Sequence, residues 1–451
     1  MGNSRRATTP RLRVGICGGG IAGLVLAVAL SKYPDIEVTV YEAASKLTEV
    51  GAGVGIFPRP WEIIRKLDLE EDLLKATEIK RQEGPVRTFV YRKSDSPEGM
   101  EFYTLVTQGT LMVFHRSDFQ QVLLRHLASS CRTYCGKRLR TYTQRPLEPI
   151  KLYFEDGSTA TCDVLVGADG IKSVVRQTMM TEKAHLAQSE GRRAEAAECL
   201  ASIDPMWSGN SSYRALIPAE RLRAQHPNHR VFTQPMQYLG KDAHIIAYPI
   251  SRGKLINFVA FVSQPHKENT RFNGPWVSQV GSEEMAARFR KWEPEVQALI
   301  HCVDQPLRWV IHTVRPLTTF AHGRIAVIGD AAHAMLPTQG SGAGQGIEDA
   351  FILATVLGNP KTDASMASIQ RALKVFDVVR RPRAQEVQER SRLNENYFSL
   401  NYRDVDFSSL RDEKLYARLV ELMETVKQNW AWTWSTSPRD IYEEATALME
   451  S

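Results

Sequence analysis

For a chain of 451 residues, six cysteines are few: Cys17, Cys131, Cys135, Cys162, Cys199 and Cys302. A domain of this size cannot be stapled by so small a set, so a disulfide scaffold is excluded. Cys131 and Cys135 are close together, but no second pair and no His-x-His partner accompanies them, so no metal site is expected. Long apolar runs are missing as well. Val14 to Leu30 carries no charge, yet it spans 17 residues and is broken by Gly15, Gly18, Gly19, Gly20 and Gly23. A membrane-crossing helix needs about 20 apolar residues, and no signal-peptide core precedes a cleavage site, so the chain reads as soluble and cytoplasmic. Dense Lys/Arg runs are absent: a formal net charge of +6 over the whole length permits an anionic ligand without calling for nucleic acid. No internal repeat or low-complexity segment is visible.

What is present is ordinary globular sequence, 43% hydrophobic and 24% charged, which excludes disordered and fibrous classes. Leu12 to Cys17 reads as a buried strand, Ile21 to Lys32 as a helix, and Ile36 to Tyr41 as a second strand. That order is a parallel βαβ unit with a glycine turn. Pro60 to Leu74, Arg116 to Leu127, Met285 to Cys302 and Ala343 to Leu357 read as helices. Leu152 to Asp163 is a hairpin around Asp156-Gly157, followed by a buried strand, Val164 to Val166. The middle third changes texture. Residues 185–200 suggest a mobile helix, and YRALI, HRVFTQ, HIIAYPI and KLINFVAFV suggest an antiparallel sheet. Arg324 to Ile328 returns to buried strand, and a charged helical tail starts at Asp377. The basic run Arg380 to Arg392 reads as a solvated helix face punctuated by Pro382. The fold class is therefore α/β: a Rossmann-like layer of separated chain pieces, an inserted antiparallel sheet and C-terminal helices.

Three motifs carry the chemistry. Gly18-Gly-Gly20-Ile-Ala-Gly23 stands between a strand and a helix. Its first glycine permits a tight turn, its second the approach of a pyrophosphate, and its third close helix–strand packing. Glu42, at the end of the next strand, is the expected acceptor for ribose hydroxyls. Asp163-Val-Leu-Val-Gly-Ala-Asp169-Gly170 ends a strand and opens a helix. The third motif runs from Gly323 through Gly329-Asp330, His333, Pro337-Thr338 and Gly342-Ala343-Gly344 to Glu348-Asp349. It places a carboxylate at a strand end and a glycine-rich helix start after it.

In this order and at these separations the motifs resemble those of the group A flavoprotein monooxygenases, in particular the salicylate hydroxylase branch and its fungal phenolic-acid relatives. The likeness extends through Glu49-Val-Gly-Ala-Gly53, His115-Arg116-Ser-Asp118-Phe119, Tyr213-Arg214, Met236 to Gly240, His244 to Pro249 and Arg380-Arg-Pro-Arg383. It implies a para-hydroxybenzoate hydroxylase-like fold in which residues 10–80, 108–184 and 316–375 form the FAD-binding domain. Residues 81–107 and 185–315 would form the substrate domain, and 376–451 a helical tail. It implies FAD held by Gly18, Gly20, Gly23, Glu42, Gly53, Arg116, Asp169, Asp330, Gly342, Ala343 and Gly344. With no second dinucleotide fingerprint, NADH or NADPH would visit, reduce the flavin and leave. O₂ would then form a C4a-hydroperoxide that hydroxylates a phenolic aromatic acid, with loss of CO₂ in the salicylate hydroxylase manner. Monomer and homodimer both stay open.

The chain departs from salicylate hydroxylases where substrate would sit. Thr338 replaces a histidine, Ser251 (with Arg252 next door) a basic residue two positions after Pro249, and Arg59 an asparagine. Arg59, Arg252, Pro337 and Thr338 are the expected substrate contacts. Arg214 and Tyr248, on neighbouring predicted strands, are the expected catalytic pair, lowering a phenol's pKa by charge-assisted hydrogen bonding. His333 reads as a packing residue at a helix start, and Trp430, Trp432 and Trp434 as core or roof. Candidate substrates are 4-hydroxybenzoate, protocatechuate, vanillate and salicylate. A non-decarboxylating phenol hydroxylase or dearomatase is the alternative within the family. A flavin-dependent halogenase is disfavoured because its Trp-x-Trp-x-Ile-Pro signature is absent. A redox-silent binding protein would not need Asp169 and Asp330 together, and a plain dehydrogenase leaves the third motif unexplained.

Overall fold

In the computed structural model residues 9–47 and 53–451 are described; the first eight residues and most of the Glu49–Gly53 motif lie outside them. A six-stranded sheet forms the first layer. Its strands run in the order Ala321–His322, Ile325–Val327, Val164–Gly167, Leu12–Cys17, Ile36–Tyr41 and Arg132–Tyr134. All neighbours are parallel except the first pair. Three distant chain segments thus meet in one sheet, and its central strands are buried except at Arg13. The helix Ile21–Leu30 packs on them from one side, and a three-stranded antiparallel sheet, Leu139–Thr143, Ile150–Phe154 and Thr159–Cys162, brings Leu152 and Cys162 against Gly15. The helix Ile21–Leu30 is buried almost all round, since it lies between this sheet and the helix Gly342–Gly358.

The second layer is an eight-stranded sheet. Its order is Val277–Gln279, Leu307–Thr313, Met206–Pro218, Leu255–Ser263, Ala243–Ile250, Met236–Gly240, Pro85–Lys93 and Met100–Gln108. Alternation along these strands sends Tyr238, Ile245 and Phe258 to one face, against the helices Ser282–Phe289 and Pro294–His301. The opposite face carries Tyr91, Leu239 and Ile246 toward an aromatic cluster with Phe57, Phe398 and Trp430. Among the described residues no helix is long and apolar enough to cross a membrane.

Several expectations change. The helix read over Pro60 to Leu74 is two, Pro58–Lys66 and Glu70–Lys75, separated where Asp68 adopts a positive φ of 60°. The one read over Met285 to Cys302 divides at Glu293-Pro294, because proline favours a fresh helix start. HRVFTQ is not a strand: His229 caps a short turn of 3₁₀ helix over Arg230–Phe232. The helix Val174–Ser189 runs unbroken through the boundary expected at residue 184, and Ala196 and Cys199 behind it join the core of the first layer.

The largest correction concerns the basic run. Pro382 lies inside one continuous helix, Met366–Phe398, and Arg380 is fully buried. Its guanidinium bonds Asp349 (2.8 Å), Glu348 (3.0 Å) and the Gln345 side chain (2.7 Å). Asp349 also accepts from Gly329 N–H (3.0 Å) and meets His333 Nε2. Burial alone would raise the Asp349 carboxyl, but His333 and Arg380 outweigh it and hold it below the usual carboxylate range. The stability this confers is present above the ordinary pKa and is lost as pH falls through the lowered one.

Removing the cation leaves two buried carboxylates short of a partner. Arg380→Met is therefore expected to cost about 3–5 kcal/mol in denaturant unfolding. Arg390→Met, which breaks a half-exposed pair with Glu386 and one bond to the Asn429 carbonyl, should cost only about 1 kcal/mol. Equal costs would show that the buried cluster does not hold the layers together.

Candidate functional site

The glycine fingerprint sits where backbones touch. Gly18 has φ +111°, and a Cβ there would lie 2.1 Å from the carbonyl oxygen of Ala168; a Cβ on Gly23 would lie 2.1 Å from that of Gly18. Neither position can take a side chain. The helix that follows starts at Gly20 with no side-chain cap, so its first N–H groups are open to an anion. Glu42 accepts from Gly19 N–H and Ala44 N–H, both at 2.7 Å, and keeps lone pairs for a further donor. Gln120, buried, donates to the Gly19 carbonyl at 2.9 Å. The sequence marks Gln120 only as a polar residue beside Phe119 in an amphipathic helix, and its burial shows only in the fold. Together with Lys137, Asp169 and Lys172, the turn and Glu42 line a cavity of about 320 Å³.

Asp169 faces that cavity but spends its oxygens on its own chain, accepting from the Ser173 hydroxyl and from Val174 N–H (2.8 Å) and Val175 N–H (3.2 Å). Burial raises its carboxyl above the usual range against the pull of these bonds. It therefore anchors the helix behind the cavity floor. Arg176, in that helix, is buried and donates to the carbonyls of Ile171, Ile203 and Ala331. Burial lowers its pKa to about 10. Through Ala331 it ties the second motif to the third.

In the third motif Gly329 turns the chain with φ +59°, and exposed Asp330 opens the short helix Asp330–His333. His333 is fully buried on Asp349, a packing and hydrogen-bonding role. The helix Gly342–Gly358 begins without a side-chain cap. The N–H groups of Gly342, Ala343 and Gly344 thus point a positive helix end out of the layer. A Cβ on Gly344 would lie 3.0 Å from Pro60, so this turn packs closely on the helix Pro58–Lys66. Pro337 begins the 3₁₀ turn before it, and Thr338 donates its hydroxyl to the Ser391 carbonyl. Trp430 and Trp432 bond the backbone and side chain of Gln339, and Trp434 packs on Trp430 and Phe57.

On the sheet side, Tyr248 pairs with Asn257, and Arg214 with Val259, two residues along the same strand. Arg214 and Tyr248 therefore share a face. The Arg214 guanidinium lies 5.1 Å above the Trp309 ring. Burial lowers its pKa, and the Arg116 charge adds to that effect. Tyr248 is raised by burial, with Arg214 pulling it back. Tyr248, Asn257, Gly53, His115 and Arg252 line a cavity of about 720 Å³, within the range of small-molecule sites. Arg252 sits at its mouth, exposed, bonded to Glu78 at 2.6 Å.

The structure thus brings Gly18, Gly20, Glu42 and Asp169 to one cavity, and Gly53, Tyr248 and Arg252 to another, with Arg214 and Arg116 electrostatically linked to the second. Arg59 is placed elsewhere. It is buried and bonds Glu348, Asp440, Thr436 and the Ser437 carbonyl. The helix start at Pro58 turns it toward these groups, and it shares no cavity with Tyr248 among those described.

A family model described as an FAD binding domain matches residues 11–391. An FAD-dependent monooxygenase of Strobilurus tenacellus is 35% identical over 98% of this chain and 99% of its own length. A salicylate hydroxylase of Pseudomonas putida is 34% identical over 94% and 92%. Among solved structures, a salicylate hydroxylase substrate complex superposes with a TM-score of 0.79 at 33% identity, covering 97% of this chain and 98% of that one. The residues present fit FAD: a side-chain-free turn under an uncapped helix start, Glu42 beside a cavity, and a second uncapped helix start at Gly342. Gly18→Ala, which strains φ and drives a methyl into Ala168, is expected to weaken FAD binding at least about tenfold, roughly 1.4 kcal/mol. The ratio of flavin to protein absorbance after dialysis measures it; a wild-type ratio would contradict this placement of the cofactor.

Proposed function

Because the chain belongs to the FAD-dependent monooxygenases of the FAD-binding-domain family, with salicylate hydroxylase among its relatives, we propose that it hydroxylates a phenolic aromatic acid using NAD(P)H and O₂, with release of CO₂. The observation that carries this reading is the Arg214–Tyr248 pair on the sheet face beside the 720 Å³ cavity. When bound, FAD supplies the redox chemistry, taking hydride from NAD(P)H and passing one oxygen of O₂ to the ring.

The chain's own part is to make the ring electron-rich. A phenol reacts faster as phenolate, and a half-buried cation within reach favours that form. Arg214 supplies the charge. Tyr248, held neutral by burial, donates its O–H to the phenolate oxygen instead of acting as a base. Thr338 cannot take the proton, since its hydroxyl is spent on Ser391 and ionises far above neutral pH. Arg252 at the cavity mouth suits the substrate carboxylate, and Arg116, whose charge acts on Arg214, adds positive potential on that side. Aromatic residues around Trp430 and the sheet exclude water from the reacting centre.

Oxygenation at the carboxylate-bearing carbon allows the ring to regain aromaticity only by losing that substituent. The balance is one arenecarboxylate, one NAD(P)H, one O₂ and two protons giving one arenol, NAD(P)⁺, water and CO₂. A panel of 4-hydroxybenzoate, protocatechuate, vanillate and salicylate tests the reading through NAD(P)H consumed, product formed and CO₂ released. Equal amounts of all three support it. Hydroxylated acid without CO₂ favours the non-decarboxylating alternative, and peroxide alone from every acid rejects the substrate class.

Two variants test the pair. Tyr248→Phe is expected to lower hydroxylation about 10- to 100-fold, the loss of one hydrogen bond to a charged oxygen, with FAD content retained; full activity would remove Tyr248 from the mechanism. In the wild type, kcat should rise with pH as the bound phenol deprotonates. Arg214→Gln should move that rise upward by about one unit or more; an unmoved profile would show that Arg214 does not set the phenol's ionisation.

A further inference from the structure

The sheet face that carries Tyr248 and Arg214 continues across three strands to a patch of unpartnered polar groups. Gln237 pairs in register with Ile246 on one side and Tyr91 on the other, so the three side chains share that face. Gln237 is 1% exposed and Tyr91 is fully buried. Among the described residues neither amide atom of Gln237, nor the Tyr91 hydroxyl, nor Nδ1 of buried His244 finds a hydrogen-bond partner. The Phe398 ring lies against both flanks of the patch, stacked on Tyr91 at 6.1 Å and tilted toward His244 at 5.5 Å. The helix that carries Phe398 also holds the Thr338 turn through Ser391.

Buried polar atoms are nearly always paired, and one glutamine with both ends orphaned is costly. Here the orphans cluster on one face, in one aromatic setting, next to the site assigned above. His244 turns Nε2 to Glu395 at 3.3 Å, so this end of the patch already holds a buried carboxyl group. The patch therefore suits a neutral donor–acceptor group better than a carboxylate.

We propose that Gln237, with Tyr91 beside it, is a specificity-determining contact that hydrogen-bonds a neutral polar ring substituent, a hydroxyl or carbonyl, of the aromatic acid. The inference rests on the phenolic-acid reading and deepens it: the anionic oxygen lies toward Arg214 and the neutral substituent toward Gln237. A Gln amide both donates and accepts, so it serves a hydroxyl in either orientation, and a methyl of similar size leaves it unpaired.

The test uses the FAD-loaded full chain and three probes: 4-hydroxybenzoate, 3,4-dihydroxybenzoate and 4-hydroxy-3-methylbenzoate. Kd is read from the perturbation of flavin absorbance. The wild type is expected to bind the 3-hydroxy acid about tenfold or more tightly than the 3-methyl acid. Gln237→Leu should abolish that preference, and Tyr91→Phe should reduce it at least about threefold. Without substrate, Gln237→Leu should melt no lower than wild type, since it removes unpaired groups; a purely structural amide would give a lower melting temperature and an unchanged preference. If the acids bind but the wild type shows no preference, or Gln237→Leu or Tyr91→Phe keeps it in full, this proposal fails alone and the patch holds water instead. If no acid perturbs the flavin of the wild type, the phenolic-acid reading fails with it.

Discussion

The structure depends on how closely four stretches of backbone can approach one another. Gly18 lies against Ala168, Gly23 against Gly18, and Gly329 and Gly346 against Ala22, where a Cβ on either would come within 3.0 Å. The helix Ile21–Leu30 is thereby wedged between the parallel sheet and the helix Gly342–Gly358. That wedge places two uncapped helix starts, both rich in N–H groups, on one side of the layer. A methyl at Gly18 would force the first motif off the second, and one at Gly329 or Gly346 would press the third motif against the first. Close packing here is thus the condition for a dinucleotide site, and the rest of the fold is arranged around it.

The buried cluster of Arg59, Glu348, Asp349 and Arg380 supports that arrangement from behind. Buried ion pairs are weak sources of net stability, but losing one member is severe. Their effect is to fix relative placement. Asp349 holds Gly329 in its left-handed turn, Arg380 ties the long helix to it, and Arg59 reaches the C-terminal segment at Thr436 and Asp440. The tail, with its tryptophans over the Gln339 loop, is thereby registered against the cofactor layer.

Much of this was legible in the sequence because glycine spacing and apolar runs report local backbone needs directly. The fingerprint, the strand-ending Asp169 and Asp330, and the discontinuous parallel layer all have such signals. What escaped depends on partners distant in sequence. Arg380 looks like any arginine in a basic run; only the fold sets Asp349 and Glu348 beneath it. Arg59 fits an acid-binding site by charge until Glu348 is seen to claim it. Helix breaks at Asp68 and Pro294 are local, yet they fall inside patterns whose apolar period continues across them. Gln237 and Gln120 are ordinary polar residues in sequence, and their burial alone marks them.

The proposed reaction turns on one atom transfer, from O₂ to a ring carbon of a phenol ionised beside Arg214. The most direct measurement is isotopic: FAD-loaded protein turning over NAD(P)H and a phenolic acid under ¹⁸O₂, with the product analysed by mass. One ¹⁸O in the new hydroxyl, with one NAD(P)H consumed per product, is the predicted result. An unlabelled hydroxyl, or NAD(P)H consumed entirely to labelled peroxide, would contradict it.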